Sequence, residues 1–426
     1  MNLHQSEGIA GILVEAGFSC TERLEDADVA LFNGCMVRQK AEDKVYGRIG
    51  AVAELKRQHP IILGVGGCLG QVRADQLRKR FPTVDFVFGS DGHRMLPQLI
   101  EDAERGIAAL PSTIDGTDVE ETPLVRTSDS VAMVTITEGC SNCCSYCVVP
   151  YARGPMRSRR MERILEEVEA ARGMGYHEVL LLGQNVNAYG IDHEASCDFP
   201  SLLAEVAEAG VARVRFTSSH PRDMTTRVWE TMARYEALCP HVHLACQSGS
   251  DRILERMNRG YTRETFFRLV SEARAIVPGI NVTTDIIVGY PGESERDFRH
   301  TMSLLADLRF GSVFVAKYSP RPHTASSKLE DDVSDREKQE RLQRVLELQR
   351  RIARSENERL VGRRVDVLIE GLSRGDSPYG RAADHRTVVV SGAAAVGEIV
   401  SVEIESATSA ALYGAARVPE KARNPR

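Results

Sequence analysis

The sequence contains few aromatic residues and no long apolar run. Phe, Trp and Tyr make up 6% of its 426 residues, with a single Trp, which argues against an extended platform for stacking nucleic-acid bases. No stretch of about 18 uncharged apolar residues is present, which excludes a membrane-spanning helix. The first residues, Met1 to Gln5, lack the basic and apolar regions of a secretion signal. We therefore expect a cytoplasmic protein without a membrane partner.

Positive charge is not in excess either. Lys and Arg number 54 against 60 Asp and Glu, a net charge of −6, which argues against binding nucleic acid by bulk charge alone. What the sequence does contain is ten cysteines. In a reducing compartment such cysteines more often ligate metals or take part in catalysis than form disulfides.

The alternation of apolar and helical patterns predicts an α/β protein of three domains. Residues 1–105 alternate short strands with helices, with strands expected at 29–32, 61–66 and 84–88, and this pattern is typical of a doubly wound parallel sheet. Residues 105–130 are rich in Thr, Asp, Ser and Pro and predict a linker. The chain enters on a helix over 5–16, with no strand before it.

The central region, residues 127–358, predicts a partial (βα)₆ barrel of the TIM type. Six apolar runs each border a helical pattern, at 131–136, 179–182, 211–216, 242–246, 282–288 and 313–315. A long charged helix over 334–360 opens with a capping box of Ser334 and Glu337. Residues 359–420 then change to short alternating strands, expected at 365–369, 387–390 and 399–404, which predict a small all-β module.

Three cysteines follow the first barrel strand directly. Cys140, Cys144 and Cys147 form a C-x₃-C-x₂-C pattern, which suits three irons of a [4Fe–4S] cluster and leaves the fourth iron open. An open iron can bind the amino and carboxylate groups of S-adenosylmethionine (SAM), and Tyr146 would lie near that ligand. The alternative is a zinc site, but zinc ligand pairs are normally about 12 residues apart.

The strings around these cysteines resemble those of the radical SAM methylthiotransferases, and the resemblance covers almost the whole chain. It includes the cluster loop from Thr135 to Gly154 and the N-terminal Asn33-Gly-Cys35, Val37-Arg38, Gly64-Val-Gly-Gly-Cys68 and Gln71. In the barrel it includes Gly183-Gln-Asn-Val-Asn187, Phe216-Thr-Ser-Ser-His-Pro221, Gln247-Ser-Gly-Ser250, Met257-Asn-Arg-Gly-Tyr-Thr262, Asp285-Ile-Ile-Val-Gly-Tyr-Pro-Gly-Glu293 and Tyr318-Ser-Pro-Arg-Pro322. The terminal module resembles a TRAM domain, an RNA-binding β-barrel.

The resemblance implies a radical SAM barrel and a specific reaction. Val149-Pro-Tyr-Ala-Arg-Gly, Thr217-Ser-Ser-His-Pro and Arg259-Gly-Tyr-Thr are most similar to the branch that adds a methylthio group to C2 of N6-isopentenyladenosine, beside the tRNA anticodon. In that branch one SAM generates the radical and a second SAM donates the methyl group. Two alternatives stay open: a methylthiotransferase for threonylcarbamoyladenosine or a ribosomal protein, and a non-catalytic RNA-binding protein with a structural metal site.

The family also implies a second [4Fe–4S] cluster on three N-terminal cysteines. Cys35 and Cys68 match the second and third of these, and both follow short strands, so both could point into one crevice. The first is absent from the chain. Either this protein lost one ligand and a strand, or the true start lies upstream of Met1; we favour the second, because losing a strand would leave backbone groups of a parallel sheet unpaired.

The remaining expectations concern side chains at strand ends. Gly183, Gln184, Asn185, Gln247 and Ser248 are candidate SAM contacts, with turn formation as the alternative role. Arg153, Arg157 and Arg159 could hold RNA phosphates or the SAM carboxylate, or form a solvated face, and Arg381, His385 and Arg386 could contact tRNA. We expect ordinary packing for Cys20, Cys197, Cys239 and Cys246, no role for Cys143, an electron-donor protein as a further partner, and a monomer.

Overall fold

The computed structural model describes residues 1–36, 39–107, 122–192, 197–373 and 375–416. Three predicted features fall partly or wholly outside these ranges: the motif residues Val37 and Arg38, most of the linker, and the last residues of the C-terminal module. Within the described ranges, no helix combines the length and the apolar character needed to cross a membrane.

The N-terminal unit is a three-stranded parallel sheet with helices on both faces. Its elements are α1 (Asn2–Glu15), β1 (Val29–Asn33), α2 (Gln39–Leu55), β2 (Ile62–Gly66), α3 (Gly67–Arg80), β3 (Phe86–Val87) and α4 (Leu96–Glu104). The strands are neighbours in the order β1-β2-β3. Helices α2 and α3 cover one face, and α1 and α4 cover the other. The predicted doubly wound sheet is thus confirmed.

The residues of β2 show why both faces are covered. Leu63 and Val65 pack against α2 and α3, whereas Ile62 packs against α1 and α4, as alternation along a strand requires. Helix α1 ends before Gly17, whose φ of +93° suits the left-handed end of a helix. Within α1, a Cβ at Gly11 would lie 2.1 Å from the carbonyl oxygen of Pro123, so only glycine lets the segment after the linker cross the helix this closely.

The central unit alternates strands and helices. In chain order these are β4 (Val131–Thr135), β5 (Thr137–Glu138), α5 (Val149–Arg153), β6 (Arg157–Ser158), α6 (Met161–Gly173), β7 (Glu178–Leu182), α7 (Phe199–Glu208), β8 (Arg213–Phe216), α8 (Thr226–Arg234), β9 (His241–His243), α9 (Asp251–Arg256), α10 (Arg263–Ile276), β10 (Asn281–Val288), α11 (Glu295–Leu308), β11 (Ser312–Lys317) and α12 (Asp335–Glu358).

Six parallel strands form the predicted partial barrel. They lie in two sheets of three, β4-β7-β8 and β9-β10-β11, which the bridges Val214–Leu238 and Ser219–Leu244 connect. The short strands β5 and β6 form a separate antiparallel pair, which the sequence did not predict. The predicted capping box of α12 is confirmed: the Glu337 amide donates to Ser334 Oγ over 3.3 Å, and the Ser334 amide donates to the Glu337 carboxylate over 3.2 Å.

The C-terminal module is a closed five-stranded barrel, in the order β12-β13-β14-β16-β15. Its strands are β12 (Arg364–Leu372), β13 (Pro378–Ala382), β14 (Thr387–Ser391), β15 (Ile399–Ala407) and β16 (Leu412–Ala416). Its core consists of apolar side chains from all five strands. The all-β prediction is confirmed, although only three of the five strands were predicted.

This small barrel closes the end of the large barrel at which the strands begin. Arg213, at the start of β8, donates to the carbonyl oxygens of Arg381 and Asp366 over 2.9 and 2.8 Å. Arg215 donates to those of Ala382 and Ala383, each over 2.8 Å. The terminal domain therefore docks opposite the carboxyl ends of the strands.

The three residues expected to contact tRNA lie in this junction. The Arg381 carbonyl accepts from Arg213, the His385 ring lies against His241, and Arg386 donates from Nε to Asn357 Oδ1 over 3.0 Å. Each is partly buried. The sequence gives no indication that the β13–β14 turn faces the large barrel, and the tRNA contacts of these three residues stay a prediction.

Candidate functional site

The three-cysteine loop leaves the mouth of the large barrel and is anchored at several points. At its base, β5 and β6 pair, and the Cys140 amide donates to the Gly154 carbonyl over 3.1 Å. Gly139 has a φ of +75°, and a Cβ there would lie 2.0 Å from the Pro155 carbonyl oxygen. At its far side, the Ser145 amide donates to Met257 O over 3.0 Å. The loop is thus held between two segments of the barrel mouth.

The three thiols are close enough to act on one another. Burial raises the pKa of the Cys140 thiol, and the neighbouring Cys144 raises it further. Burial raises the pKa of Cys147 to about 12, again with contributions from Cys144 and Cys140. Cys140 and Cys147 are therefore thiols in the metal-free chain, and binding a metal would release their protons.

The donor set fits an iron–sulfur cluster better than a single ion. Within the described part of the chain, no three His, Cys, Asp or Glu side chains converge closely enough to hold one metal ion, which gives no support to the zinc alternative. A cubane cluster distributes its thiolate ligands over different irons, so the three sulfurs need not converge on one point. Cys140, Cys144 and Cys147 would hold three irons in this way.

A cavity of about 150 Å³ opens directly beside this loop. Its walls include Tyr146 and Cys147 from the loop, and Gln247 from the segment after β9. Gln247 has a φ of +74°, and its amide donates to Asp285 O over 2.8 Å, so its backbone continues the pairing beyond β9. The lining is completed by Val148, Val149, Asp285, Ile286, Ile287, Phe314, Ala316 and Arg321. A mostly apolar cavity with a few polar groups is typical of a small-molecule site.

A second group of polar atoms lies at the ends of β5, β7 and β8. Within the described residues, these buried atoms have no hydrogen-bond partner: Thr137 Oγ1, Gln184 Oε1, Asn185 Oδ1, Ser219 Oγ and His220 Nε2. Buried polar atoms are normally paired, so such a group at the carboxyl ends of barrel strands indicates a polar ligand. The atoms fit the polar groups of SAM, and Gln184 and Asn185 are among the residues that the sequence proposed as SAM contacts.

His220 belongs to this group as a neutral side chain. Burial lowers its pKa to about 2, with further lowering by Arg259 and Arg222. Its Nδ1 accepts the Arg222 amide over 3.2 Å, so the proton resides on Nε2, which can donate to a ligand. The sequence had placed His220 only in a family motif, without a role.

Gly183 has a steric role at the same strand end. A Cβ there would lie 2.2 Å from Thr137 Oγ1, because β7 and β5 approach closely at this point. Ser248, by contrast, is fully buried and faces away from the cavity. Its Oγ accepts the Ser250 amide over 3.2 Å and lies 3.5 Å from Thr301 Oγ1. The structure thus brings Gln247 and Tyr146 together at the cavity but does not place Ser248 there.

Arg259 is the site residue that sequence reasoning missed. Its side chain is 3% exposed and contacts the loop, donating from Nη1 to Cys144 Sγ over 3.2 Å and to Tyr146 Oη over 3.3 Å. The family motif Met257–Thr262 contains Arg259. However, Arg259 lies 112 residues after Cys147 in the sequence, so its contact with the loop could not be predicted.

The two N-terminal cysteines lie together at another crevice. Cys35 follows β1, and Cys68 is the second residue of α3, which follows β2. A hydrogen bond of 2.9 Å from the Gly34 amide to Gly66 O connects the two segments. Arg153, at the end of α5, donates from Nε to Cys68 Sγ over 3.2 Å and also interacts electrostatically with Cys35. The helix that follows the cluster loop thus connects the loop to this second pair of cysteines.

The arginines after the loop do not form a solvent-facing surface for RNA. Arg153, Arg157 and Arg159 are all buried. Arg157 pairs with Asp91 and Glu138, and Arg159 donates to Glu167 and to the Thr135 carbonyl. The expected solvated face is therefore wrong, because all three side chains are buried and the carboxylates of Asp91, Glu138 and Glu167 already neutralise two of these cations. The roles in holding RNA phosphates or the SAM carboxylate stay predictions.

The other five cysteines are not among the candidate cluster ligands. Cys239 and Cys246 are buried and Cys197 is half-buried, as expected of packing residues, and Cys143 is exposed. Cys20 is also exposed, so the expectation that it packs in the interior was wrong.

Comparison with known families matches three segments of the chain. The Radical SAM superfamily matches residues 134–305, the uncharacterized protein family UPF0004 matches residues 1–89, and the TRAM domain matches residues 358–416. Among solved structures, the radical SAM methyltransferase TsrM from Kitasatospora setae has a TM-score of 0.57 at 15% identity, over 76% of this chain and 74% of that one. This likeness concerns the fold alone.

Curated relatives match nearly the full length of the chain. The tRNA-2-methylthio-N(6)-dimethylallyladenosine synthase of Moorella thermoacetica is 42% identical, over 97% of this chain and 95% of the relative. The enzyme of the same name from Geotalea uraniireducens is 43% identical, over 97% and 96%.

Proposed function

The chain belongs to the tRNA-2-methylthio-N(6)-dimethylallyladenosine synthase family, and from this membership we propose its reaction and its site. It is a radical SAM transferase that adds a methylthio group to C2 of N6-isopentenyladenosine at position 37 of tRNA. One SAM serves radical generation and another donates the methyl group. The observation that carries this proposal is the three-cysteine loop at the barrel mouth, beside a cavity and a group of unpartnered polar atoms.

The radical SAM family implies a [4Fe–4S] cluster and SAM. When bound, the cluster supplies the electron that cleaves SAM reductively. The chain's own part is to hold and orient: Cys140, Cys144 and Cys147 ligate the cluster, and Tyr146 and Gln247 line the cavity beside it. Gln184 and Asn185, kept close to β5 by Gly183, present unpartnered oxygens to the methionine part of SAM. Ser248, which the sequence also proposed as a SAM contact, does not line this cavity.

The substrate is a tRNA, and its anticodon loop is the part that enters the barrel mouth. The family name and the TRAM domain support the tRNA substrate. A base of a single-stranded loop can leave its stack at low cost, which allows C2 of the adenine to reach a recessed site. We assign residues 1–105, 127–358 and 359–420 to the N-terminal, radical SAM and TRAM domains, and the family matches at residues 1–89, 134–305 and 358–416 support this division.

The second cluster is a finer proposal, carried by Cys35, Cys68 and Arg153. A buried guanidinium requires an anionic partner, and ligated thiolates would provide one. The test is iron and sulfide analysis of protein purified without oxygen. About eight irons per chain, falling to about four in Cys35→Ala/Cys68→Ala, would support two clusters; about four in both would refute the second. The electron-donor protein and the monomeric state stay predictions from the sequence.

The reaction is tested by expressing the chain in a bacterium that makes isopentenyladenosine in tRNA but lacks its own methylthiotransferase. We expect methylthio-isopentenyladenosine to appear in nucleoside mass spectra, and not with a Cys140→Ala variant. Unchanged isopentenyladenosine would overturn the proposal. If threonylcarbamoyladenosine or a ribosomal protein is methylthiolated instead, that result would support the corresponding alternative substrate.

A further inference from the structure

Arg259 connects the cluster loop to the end of the β9 segment. Besides Cys144 and Tyr146, its guanidinium reaches the Ala245 carbonyl from Nη2 over 2.6 Å and Tyr261 Oη from Nε over 3.1 Å. One side chain therefore joins a loop thiol and the loop aromatic to the strand segment that leads to Gln247. This arrangement holds the second half of the loop, on both sides of Ser145, whereas the contact of Cys140 holds its start.

The charge of Arg259 has no carboxylate counterpart among the described residues. Its side chain forms no ion pair with Asp or Glu there, and its strongest electrostatic interactions are with Tyr146, Tyr261 and Cys144. A buried cation without an anionic partner is costly, so the fold must provide one. Cys144 is the group in hydrogen-bond contact that becomes an anion when it ligates iron.

Direct binding of the SAM carboxylate would be another use for a buried arginine. A guanidinium has five N–H donors, and Arg259 directs four hydrogen bonds to protein atoms. Its fork is thus occupied by the loop and by the strand end. The geometry favours a residue that acts on the cluster through its ligand.

We propose that Arg259 is a positioning residue that holds Cys144 in place and raises the reduction potential of the cluster in the loop. This rests on the proposed function, because it requires the cluster. Reduction adds one electron from an external reductant and makes the cluster more negative, so a cation against a ligating sulfur favours the reduced form. Net charge and hydrogen bonds to the sulfurs are the established determinants of such potentials.

The test compares variants of the full-length chain that carry Cys35→Ala and Cys68→Ala throughout, so that only the loop cluster reports. After anaerobic reconstitution, the cluster is reduced stepwise with dithionite in the presence of redox mediators and followed by electron paramagnetic resonance. Arg259→Gln removes the charge, Arg259→Lys keeps it, and Arg256→Gln is the matched control, since Arg256 is exposed three residues earlier.

We expect Arg259→Gln to lower the reduction equilibrium constant at least tenfold, which is 59 mV for one electron. Arg259→Lys should stay closer to the parent, and Arg256→Gln should match it. An assembled Arg259→Gln cluster with the parent potential would overturn the proposal. If Arg259→Gln assembles no cluster, a tenfold decrease in Arg259→Lys would overturn it instead. Because no tRNA is present, failure of the proposed substrate would not change these results.

Discussion

The imidazole ring of His385, in the C-terminal barrel, lies against that of His241, at the start of β9, with centroids 4.4 Å apart. Around this pair, Arg213 and Arg215 of the large barrel donate to backbone carbonyls of the small one. Arg215 also donates from Nε to Glu178 Oε1 over 2.7 Å, and both side chains are buried. The junction between the two barrels thus depends on a buried ion pair.

Replacing Arg215 should destabilise the protein strongly. Arg215→Met leaves Glu178 buried without its cation and removes two hydrogen bonds to the terminal domain, and breaking such a pair costs about 3–5 kcal/mol. The measurement is the free energy of unfolding from urea titration. Arg354→Met is the control, because its pair with Glu358 is exposed and should contribute little. Similar losses in both variants would contradict the importance of the junction.

The Glu167 carboxyl should make the free energy of unfolding depend on pH. Burial alone would raise the pKa of its carboxyl, but the hydrogen bond with His4 and the charge of Arg159 lower it to about 2. Because the folded value lies below the unfolded one of 4.5, the stabilisation is present above pH 4.5 and is lost as the pH falls toward 2. It amounts to about 3 kcal/mol at neutral pH.

Glu167→Gln should therefore lower the free energy of unfolding at pH 7, and its difference from wild type should shrink between pH 4.5 and pH 2. The exposed neighbour Glu166 provides the control, since Glu166→Gln removes only a surface pair with Arg163. A Glu167→Gln difference that stays constant over this pH window would refute the assignment.

Two adjacent cysteines should behave in opposite ways. Cys144 is half-buried and contacts Arg259, whereas Cys143 is exposed. We expect Cys144→Ala to lose the loop cluster and tRNA methylthiolation, and Cys143→Ala to keep both, as measured by iron analysis and nucleoside mass spectrometry. Loss of iron from Cys143→Ala would show that the ligand set was assigned wrongly.

Gly183 should be sensitive to a single added methyl group. In Gly183→Ala the new Cβ meets Thr137 Oγ1 at 2.2 Å, which displaces the strand end that carries Gln184 and Asn185. Overpacking of this kind costs about 1–3 kcal/mol, so SAM should bind about tenfold more weakly in equilibrium dialysis with reconstituted protein. Adding Thr137→Ala should recover part of the loss.

Gly173→Ala is the matched control, because no atom lies within 4 Å of the Cβ that it adds. SAM affinity should be unchanged in this variant. Wild-type affinity in Gly183→Ala would show that the close approach of β5 and β7 does not determine the SAM site.

The sequence predicted the order of the domains and the position of the cluster loop, because both depend on local patterns. It missed β13 and β16, and the reason is physical. Each contains a glycine, Gly380 or Gly414, at which a Cβ would lie 1.8 or 2.1 Å from a carbonyl oxygen of a neighbouring strand. A small barrel requires glycine at such crossings, whereas glycine in a sequence indicates a turn.

The sequence could not predict contacts between segments that belong to different elements. Arg157 and Arg159 are near the loop in sequence, but Asp91 and Glu167, which neutralise them, come from other elements. Arg259 is far from the loop in sequence and yet touches Cys144. Single-sequence patterns show which residues carry charge, but only the packing shows which charge faces which.

The terminal domain is held largely through its main chain. Arg213, Arg215 and Asn281 of the large barrel donate to carbonyl oxygens, including that of Asp384, and not to side chains. Because these contacts are made with main-chain atoms, docking requires a particular backbone path of the β13–β14 turn and tolerates changes in the side chains of that turn. A barrel with different side chains that keeps the path of this turn could therefore be exchanged into this position without changing the residues of the large barrel that hold it.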